Sequence, residues 1–323
     1  EVMRKNPWLD FAIRGEGDHS FPMLLEALEG KRPFQEVGNL IYRMNGELRE
    51  NPLLPLVADL DSVPFPKRDL LPSANRKALF VITGRGCPYD CTYCFNHTYR
   101  EMYRGLGHQC RRRSVDNVID EITEIMVAND ELQMVIFQDD IFIMDHDWVR
   151  ELCSKYPEAV GLPFHCHLRA NLVTDEITEL LFDAGCISVK MAIETTNAHL
   201  LNDILKRNLT VRKLEEACLS VKRSGIKLVT QNILGIPDST LEDDLNTLRF
   251  NWKVHPDFAF ATLMQPYPKT EIARFCREKG YIEGDESLPD SFFDDCVLKF
   301  EDTALRKRLR TLFALSIEFI PLR

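Results

Sequence analysis

Three cysteines fall within eight residues, in Cys87-Pro88-Tyr89-Asp90-Cys91-Thr92-Tyr93-Cys94, spaced C-x3-C-x2-C. They follow the apolar run Leu79-Phe80-Val81-Ile82 and the segment Thr83-Gly84-Arg85-Gly86. An apolar, β-branched and aromatic run bounded by glycines reads as a strand ending in a loop. Such a loop can wrap three thiolates around one soft centre, and thiolates select iron–sulfur clusters, zinc or Cu(I). The number three is informative. Structural zinc is normally closed by four protein ligands, and an ordinary low-potential cluster by four cysteines. A cubane held by three leaves one iron open to another ligand. The competing reading is a zinc knuckle completed by His97 or Cys110.

Of the 323 residues, 45% are apolar and 28% charged, the balance of an ordinary globular chain. A net charge of −10 argues against a nucleic-acid backbone as partner, because phosphate contacts need clustered Lys and Arg. The one basic run, Arg111-Arg112-Arg113, reads as a solvated loop. No stretch approaches the roughly 20 apolar residues of a membrane span, and no signal peptide is visible. Ten cysteines without a secretory signal point to thiols kept reduced in a cytoplasm. Those outside the motif read as small core residues. The chain opens at Glu1 rather than Met and stops after a helical run, so a piece of a longer protein is expected.

From Lys77 to about Gly280, strand-like and helix-like segments alternate, the pattern of a parallel sheet with crossover helices. Ser114, Thr174 and Thr210 open helices, and the strands run through residues 134–137, 163–168, 186–193, 227–234 and 258–264. Counted from Phe80, this makes six βα repeats, the last helix being that at about 270–279. Chemistry in βα barrels sits at the C-terminal strand ends. There the sequence places Asp139 and Asp140, Arg169, and Glu194. Gln231 and Asn232 alternate on the fifth strand, so only one of them points inward. His165 and His167 share one face and read as a structural pair. Upstream, a short strand, the turn Gly15-Glu16-Gly17 and a helix at about 20–28 precede a hairpin turned at Asn45-Gly46. Leu24, Leu25 and Leu28 are expected to form the apolar face of that helix. Residues 51–76, rich in proline, read as a linker, and residues 281–323 as a C-terminal extension.

The cysteine motif, with Tyr93 before its third cysteine, resembles the signature of the radical S-adenosylmethionine superfamily. Further stretches resemble the family in the expected order: Pro64 to Leu71, Gln138-Asp139-Asp140, Ala192-Ile193-Glu194, Gly235-Ile236-Pro237 and Gln265-Pro266-Tyr267-Pro268. Asp238 and Lys269 stand where the family more often has Gly. The resemblance implies an α/β fold with a partial (βα)6 barrel over 77–280. Residues 1–50 resemble the C-terminal remnant of a Rossmann-like cobalamin-binding domain, which places the chain in the subclass carrying that domain. It implies that Cys87, Cys91 and Cys94 hold a 4Fe-4S cluster whose open iron chelates S-adenosylmethionine, with Tyr93 beside the adenine. It further implies that Asp139 or Asp140 and Glu194 hydrogen-bond the cofactor, that Arg169 pairs with its carboxylate, and that Gln231 faces its ribose. The activity implied is that of a cobalamin-dependent C-methyltransferase acting through a 5′-deoxyadenosyl radical on a small-molecule or natural-product substrate. A flavodoxin or ferredoxin would supply the electron. The nearest alternative is a tetrapyrrole-type radical cyclase. A zinc-binding structural protein is the alternative from another class.

Overall fold

The structure, a computed structural model, describes residues 2–70, 77–282, 288 and 296–319. The end of the proline-rich linker and most of the acidic stretch after Ile282 lie outside the described residues. The N-terminal part opens with a one-turn helix α1 (Val2–Lys5) and continues as an antiparallel meander of β1 (Phe11–Ile13), β2 (Leu40–Met44) and β3 (Glu47–Glu50). Asn45 and Gly46, at φ 54° and 82°, turn the hairpin as expected of Asn-Gly. Helix α2 (Ser20–Leu28) lies between β1 and β2. Leu24 and Ala27 pack under it against Val37, Leu40 and Tyr42. Leu25 and Leu28, expected on the same face, are 46% and 54% exposed.

The linker crosses the surface with Leu56, Val57 and Leu60 buried, anchored where the Leu56 N–H donates to the Leu106 carbonyl at 2.8 Å. Beyond it runs a six-stranded, all-parallel sheet. Its strands β4 (Ala78–Val81), β7 (Met134–Phe137), β8 (Phe164–Leu168), β9 (Cys186–Glu194), β10 (Lys227–Leu234) and β11 (Phe258–Leu263) neighbour one another in that order. A two-residue ribbon, β5 (Gly84–Arg85) with β6 (Arg111–Arg112), branches off the end of β4.

Helices α4 (Val115–Ala128), α5 (His146–Ala159), α6 (Asp175–Asp183) and α7 (Val211–Arg223) cover the outer face of the sheet. There Leu79, Val135, Phe164, Val189 and Leu228 meet Ile122, Leu152, Ile177 and Leu214 in one core. The Ser114, Thr174 and Thr210 side chains each accept the backbone N–H three residues on. Such caps satisfy an orphan donor and contribute about 1 kcal/mol each. Thr240 and Asp243 form a reciprocal capping box at the start of α8 (Leu241–Val254).

The sixth repeat departs from expectation. Helix α9 (Glu271–Glu278), after β11, does not cover that strand; its Ile272 and Cys276 pack with Leu200, Leu205 and Ile236 at the strand ends. The outer face of β11 is covered by α10 (Thr303–Glu318), whose Phe313 and Ile317 meet Leu248, Ala261 and Leu263. Arg306 fixes that helix: its guanidinium, 2% exposed, bonds Asp244 at 2.7 Å and the Ser239 hydroxyl at 2.7 Å. Two buried polar partners on the barrel thus hold the segment expected to be an extension.

Candidate active site

The loop Cys87–Cys94 lies across the C-terminal ends of the strands. Gly86, at φ +90°, turns the chain into it, and a Cβ there would sit 2.2 Å from the Gln109 carbonyl oxygen, so only glycine fits. Thr92 pins its middle: its hydroxyl donates to the Ile204 carbonyl at 2.6 Å, and its carbonyl accepts the Ile272 N–H at 3.0 Å. Arg100, on α3 (Phe95–Met102), donates to the Cys87 carbonyl at 3.0 Å and pairs with Asp90.

The three thiols are held as a group. Burial pushes the Cys87 thiol up to about 11, against a hydrogen bond from the Tyr89 N–H and with added repulsion from Asp140, Cys91 and Cys94. Burial raises Cys94 likewise, opposed by the Asn96 N–H at the start of α3. Such thiols are poor free nucleophiles, whereas a coordinated metal deprotonates them outright. Backbone N–H donors aimed at sulfur are the kind of interaction that tunes a thiolate-bound cluster. Among the described residues, no three His, Cys, Asp or Glu side chains converge tightly enough to hold a single metal ion. A cubane spreads its thiolates over different irons. Three cysteine thiolates on one loop are the kind of donor an iron–sulfur cluster takes.

Beside this loop, Tyr93, Glu194 and Arg207 form a buried triad. The Tyr93 hydroxyl donates to Glu194 Oε1 at 2.8 Å, and Arg207 Nη1 lies 2.8 Å from that hydroxyl and 2.9 Å from Oε1. Glu194 Oε2 is buried without a partner. Burial pushes the Glu194 carboxyl up, against the pull of Arg207, Tyr93 and Arg169. Glu194 has φ +66°, and the β9–β10 register slips beside it. A left-handed residue at a strand irregularity re-aims the side chain, and strain of this kind gathers at functional sites.

Arg169 stacks 3.6 Å over the Tyr89 ring, donates to the Arg207 carbonyl at 2.5 Å and reaches Cys91 Sγ at 3.8 Å. Only its Nε lacks a partner. The fork that the resemblance pairs with a carboxylate is turned here toward Cys91 and the Arg207 carbonyl. Asp139 and Asp140 also separate. Asp139 is 3% exposed and accepts the Thr83 hydroxyl at 2.7 Å and the Thr83 N–H at 3.2 Å, so it fastens the end of β4. Asp140 faces outward, its charge felt by Cys87 and Cys94. Gln231 lies on the inner face of β10. Asn232 turns outward and donates to the Phe260 carbonyl. Cys87, Cys91, Cys94, Tyr93, Arg169 and Glu194 are thus brought together, whereas Asp139 and Gln231 stand apart from that network.

Arg207, invisible in the sequence reading, sits between Lys206 and Asn208, both at φ 51°. The expectation for Arg111–Arg113 is overturned. Arg111 is 7% exposed and grips Glu16 with both nitrogens, at 2.7 and 3.0 Å. Burial opposes the charge on Glu16, but bonds from Arg111 and the Val57 N–H outweigh it and hold the carboxyl below its usual range. Arg112 stacks 4.4 Å from the Trp148 ring centre, and Arg113 pairs with Glu121. A cavity of about 480 Å³ opens between this N-terminal turn and the barrel mouth, lined by Glu16, Asp18, Arg85, Asn96, Tyr99 and Asp140 among others.

The sequence pattern of the radical S-adenosylmethionine superfamily matches residues 81–250, more than half of the chain, and the chain belongs to that superfamily. It is 29% identical over 277 residues to an uncharacterised methyltransferase of Pyrococcus horikoshii, covering 84% of this chain and 59% of that protein. It is 25% identical over 294 residues to the anaerobic magnesium-protoporphyrin IX monomethyl ester cyclase of Cereibacter sphaeroides, covering 86% and 46%. The chain therefore spans less than two thirds of the length of these relatives. Among solved structures it resembles TsrM, a radical S-adenosylmethionine methyltransferase from Kitasatospora setae with cobalamin and a 4Fe-4S cluster bound. The TM-score is 0.73 at 17% identity, over 92% of this chain and 61% of that one, a likeness that shows the partial-barrel fold.

Proposed function

We propose that this chain binds a 4Fe-4S cluster through Cys87, Cys91 and Cys94, and S-adenosylmethionine at the adjoining strand ends, as part of a cobalamin-dependent C-methyltransferase. When bound, the cluster supplies the electron that cleaves S-adenosylmethionine to methionine and a 5′-deoxyadenosyl radical, and methylcobalamin supplies the methyl group. The observation that carries the reading is a three-thiol loop beside a buried carboxylate with one unpartnered oxygen. An unpartnered buried acceptor is costly unless a ligand satisfies it. Glu194 Oε2 is such an acceptor, suited to the methionine ammonium or the ribose hydroxyls. Arg207 and Tyr93 hold Oε1 and so orient it. Asp140 would offer a second carboxylate at the mouth, Tyr93 would stand beside the adenine, and Gln231 would face the ribose.

Residues 1–50 are assigned to the end of a cobalamin-binding domain and 51–76 to the linker. The support is the Glu16–Arg111 clamp, which fastens the N-terminal turn to the barrel beside the cavity. The intact protein would receive its electron from a flavodoxin or ferredoxin. Among the described residues the cysteines form no disulfide bond, in keeping with a cytoplasmic setting, and no helix is long and apolar enough to cross a membrane. The cyclase relative supports a second reading that shares every step up to the radical. Consumption of methylcobalamin separates the two.

The test is anaerobic reconstitution with iron and sulfide, reduction in the presence of S-adenosylmethionine, and detection of 5′-deoxyadenosine by mass spectrometry. The comparison is a variant carrying Cys87→Ala, Cys91→Ala and Cys94→Ala. A brown wild type that forms the nucleoside, beside a colourless, inactive variant, is expected. A wild type that takes up zinc and no cluster would refute the reading.

A further inference from the structure

Three basic side chains point from adjacent strands into the open interior of the barrel. Cross-strand register places His165 opposite Ser188 and His167 opposite Lys190, all on the inner face. The histidine rings lie 5.6 Å apart. His165 Nδ1 bonds the Ser188 hydroxyl at 2.8 Å. His167 Nδ1 lies 3.2 Å from the Asp139 carbonyl oxygen, which can only accept, so that nitrogen carries the proton. Lys190 is half-buried, and among the described residues no carboxylate pairs with it. Burial lowers its pKa, and burial with the nearby Lys190 charge depresses both histidines to about 4. A half-buried cation facing two neutral imidazoles, with no anion beside them among the described residues, is an unsatisfied arrangement.

The flanks of the same interior are apolar. Phe80 on β4 and Phe258 on β11 face inward, opposite to the neighbours that pack under the outer helices, and are 44% and 50% exposed. Lys190 precedes Glu194 by four residues, so it lies roughly 13 Å deeper along β9 at about 3.3 Å per residue. A molecule anchored there extends toward the strand ends. We propose that Lys190, with His165 and His167, binds an oxyanion of the substrate, a carboxylate or a phosphate carried on an apolar body that packs against Phe80 and Phe258. This names a substrate class for the enzyme proposed above and rests on that reading for its catalytic meaning. The anion site itself needs neither cluster nor S-adenosylmethionine.

The test titrates inorganic phosphate and, separately, succinate into the chain without cluster, following the His165 and His167 ring protons by NMR. Assignment uses His165→Gln and His167→Gln. Saturable shifts with at least one anion are expected, weakened at least tenfold in Lys190→Met and retained in Lys190→Arg. The two titrations distinguish phosphate from carboxylate. Absence of saturable shifts with both anions, or equal binding by Lys190→Met, would overturn the proposal. If Lys190→Met does not fold, Lys190→Gln takes its place, and loss of binding in Lys190→Arg counts against the charge. Formation of 5′-deoxyadenosine by the reconstituted wild type is scored separately, so either idea can fail without the other.

Discussion

Glu194 and Arg207 set a test of how the site is held. Their side chains are each 3% exposed and 2.9 Å apart. At an effective dielectric of about 20, that separation corresponds to roughly 6 kcal/mol of gross attraction. Desolvation of both charges consumes much of it, so the pair's net contribution is small, while breaking it is expensive. Glu194→Gln keeps the shape but leaves a buried guanidinium facing only the Tyr93 hydroxyl and neutral carbonyls. Arg207→Gln strands the carboxylate instead. Each is expected to cost about 3–5 kcal/mol. The double variant puts two amides together, which can bond each other, so its cost falls short of the sum by about 2 kcal/mol or more. Urea unfolding of the cluster-free chain measures the cycle, with hydrogen exchange as a second probe for the weakest variant. Additivity within about 0.5 kcal/mol, the behaviour of uncoupled sites, would refute the buried triad. Tyr93→Phe supplies a third corner and removes the hydroxyl's bonds to both charged groups, each worth about 1.5–3 kcal/mol.

Asp139→Asn would turn an amide donor toward the Thr83 N–H and cost about 1–3 kcal/mol in urea midpoint terms. Asp140→Asn, exposed at the mouth, is expected to stay within about 0.5 kcal/mol of wild type, and equal costs would undo the distinction between the neighbours. Lys269 is exposed at φ +68°, so Lys269→Gly should stabilise the chain by about 0.5–1 kcal/mol, and a lowered melting temperature would contradict the left-handed backbone there. His165 and His167 titrate near 4 in the folded chain and near 6.5 unfolded. The unfolded chain therefore binds more protons between these values, and stability should fall as pH drops from about 6.5 to about 4. Urea titrations across that range should show the slope lessen in His165→Gln, and no change would place His165 in water.

Much of the barrel was legible because its signals are local. The strand at 227–234 runs as expected, and the serine and threonine caps lie where the helices begin. Two expectations failed for a shared reason. Periodicity says that a face is apolar but not what covers it. Leu25 and Leu28 look like core and face outward, while α9 looks like the sixth barrel helix and packs by the cluster loop instead. The helix that covers β11 comes from beyond the acidic stretch, a contact that loop residues do not announce.

The site divides along the same line. The cysteines are legible because one short loop must supply three thiolates, and Glu194 because it ends a strand. Arg207 and Arg111 are not, since a paired buried arginine and a solvated one read alike in sequence. Their partners lie 13 and 95 residues away. The two departures from the family's glycines carry the point further. Asp238 and Lys269 both have positive φ, 66° and 68°. The turns that glycine would ease are therefore kept, with strain accepted at each. Asp238 offsets its share through Tyr281, whose hydroxyl donates to its carboxylate at 2.8 Å and accepts its N–H at 2.9 Å. Among the described residues the Lys269 side chain makes no such bond, although its carbonyl accepts the Thr98 hydroxyl from α3 at 3.2 Å. What is retained at both places is the direction in which the chain leaves the strand ends, and that direction sets α9 against Thr92 in the middle of the cysteine loop.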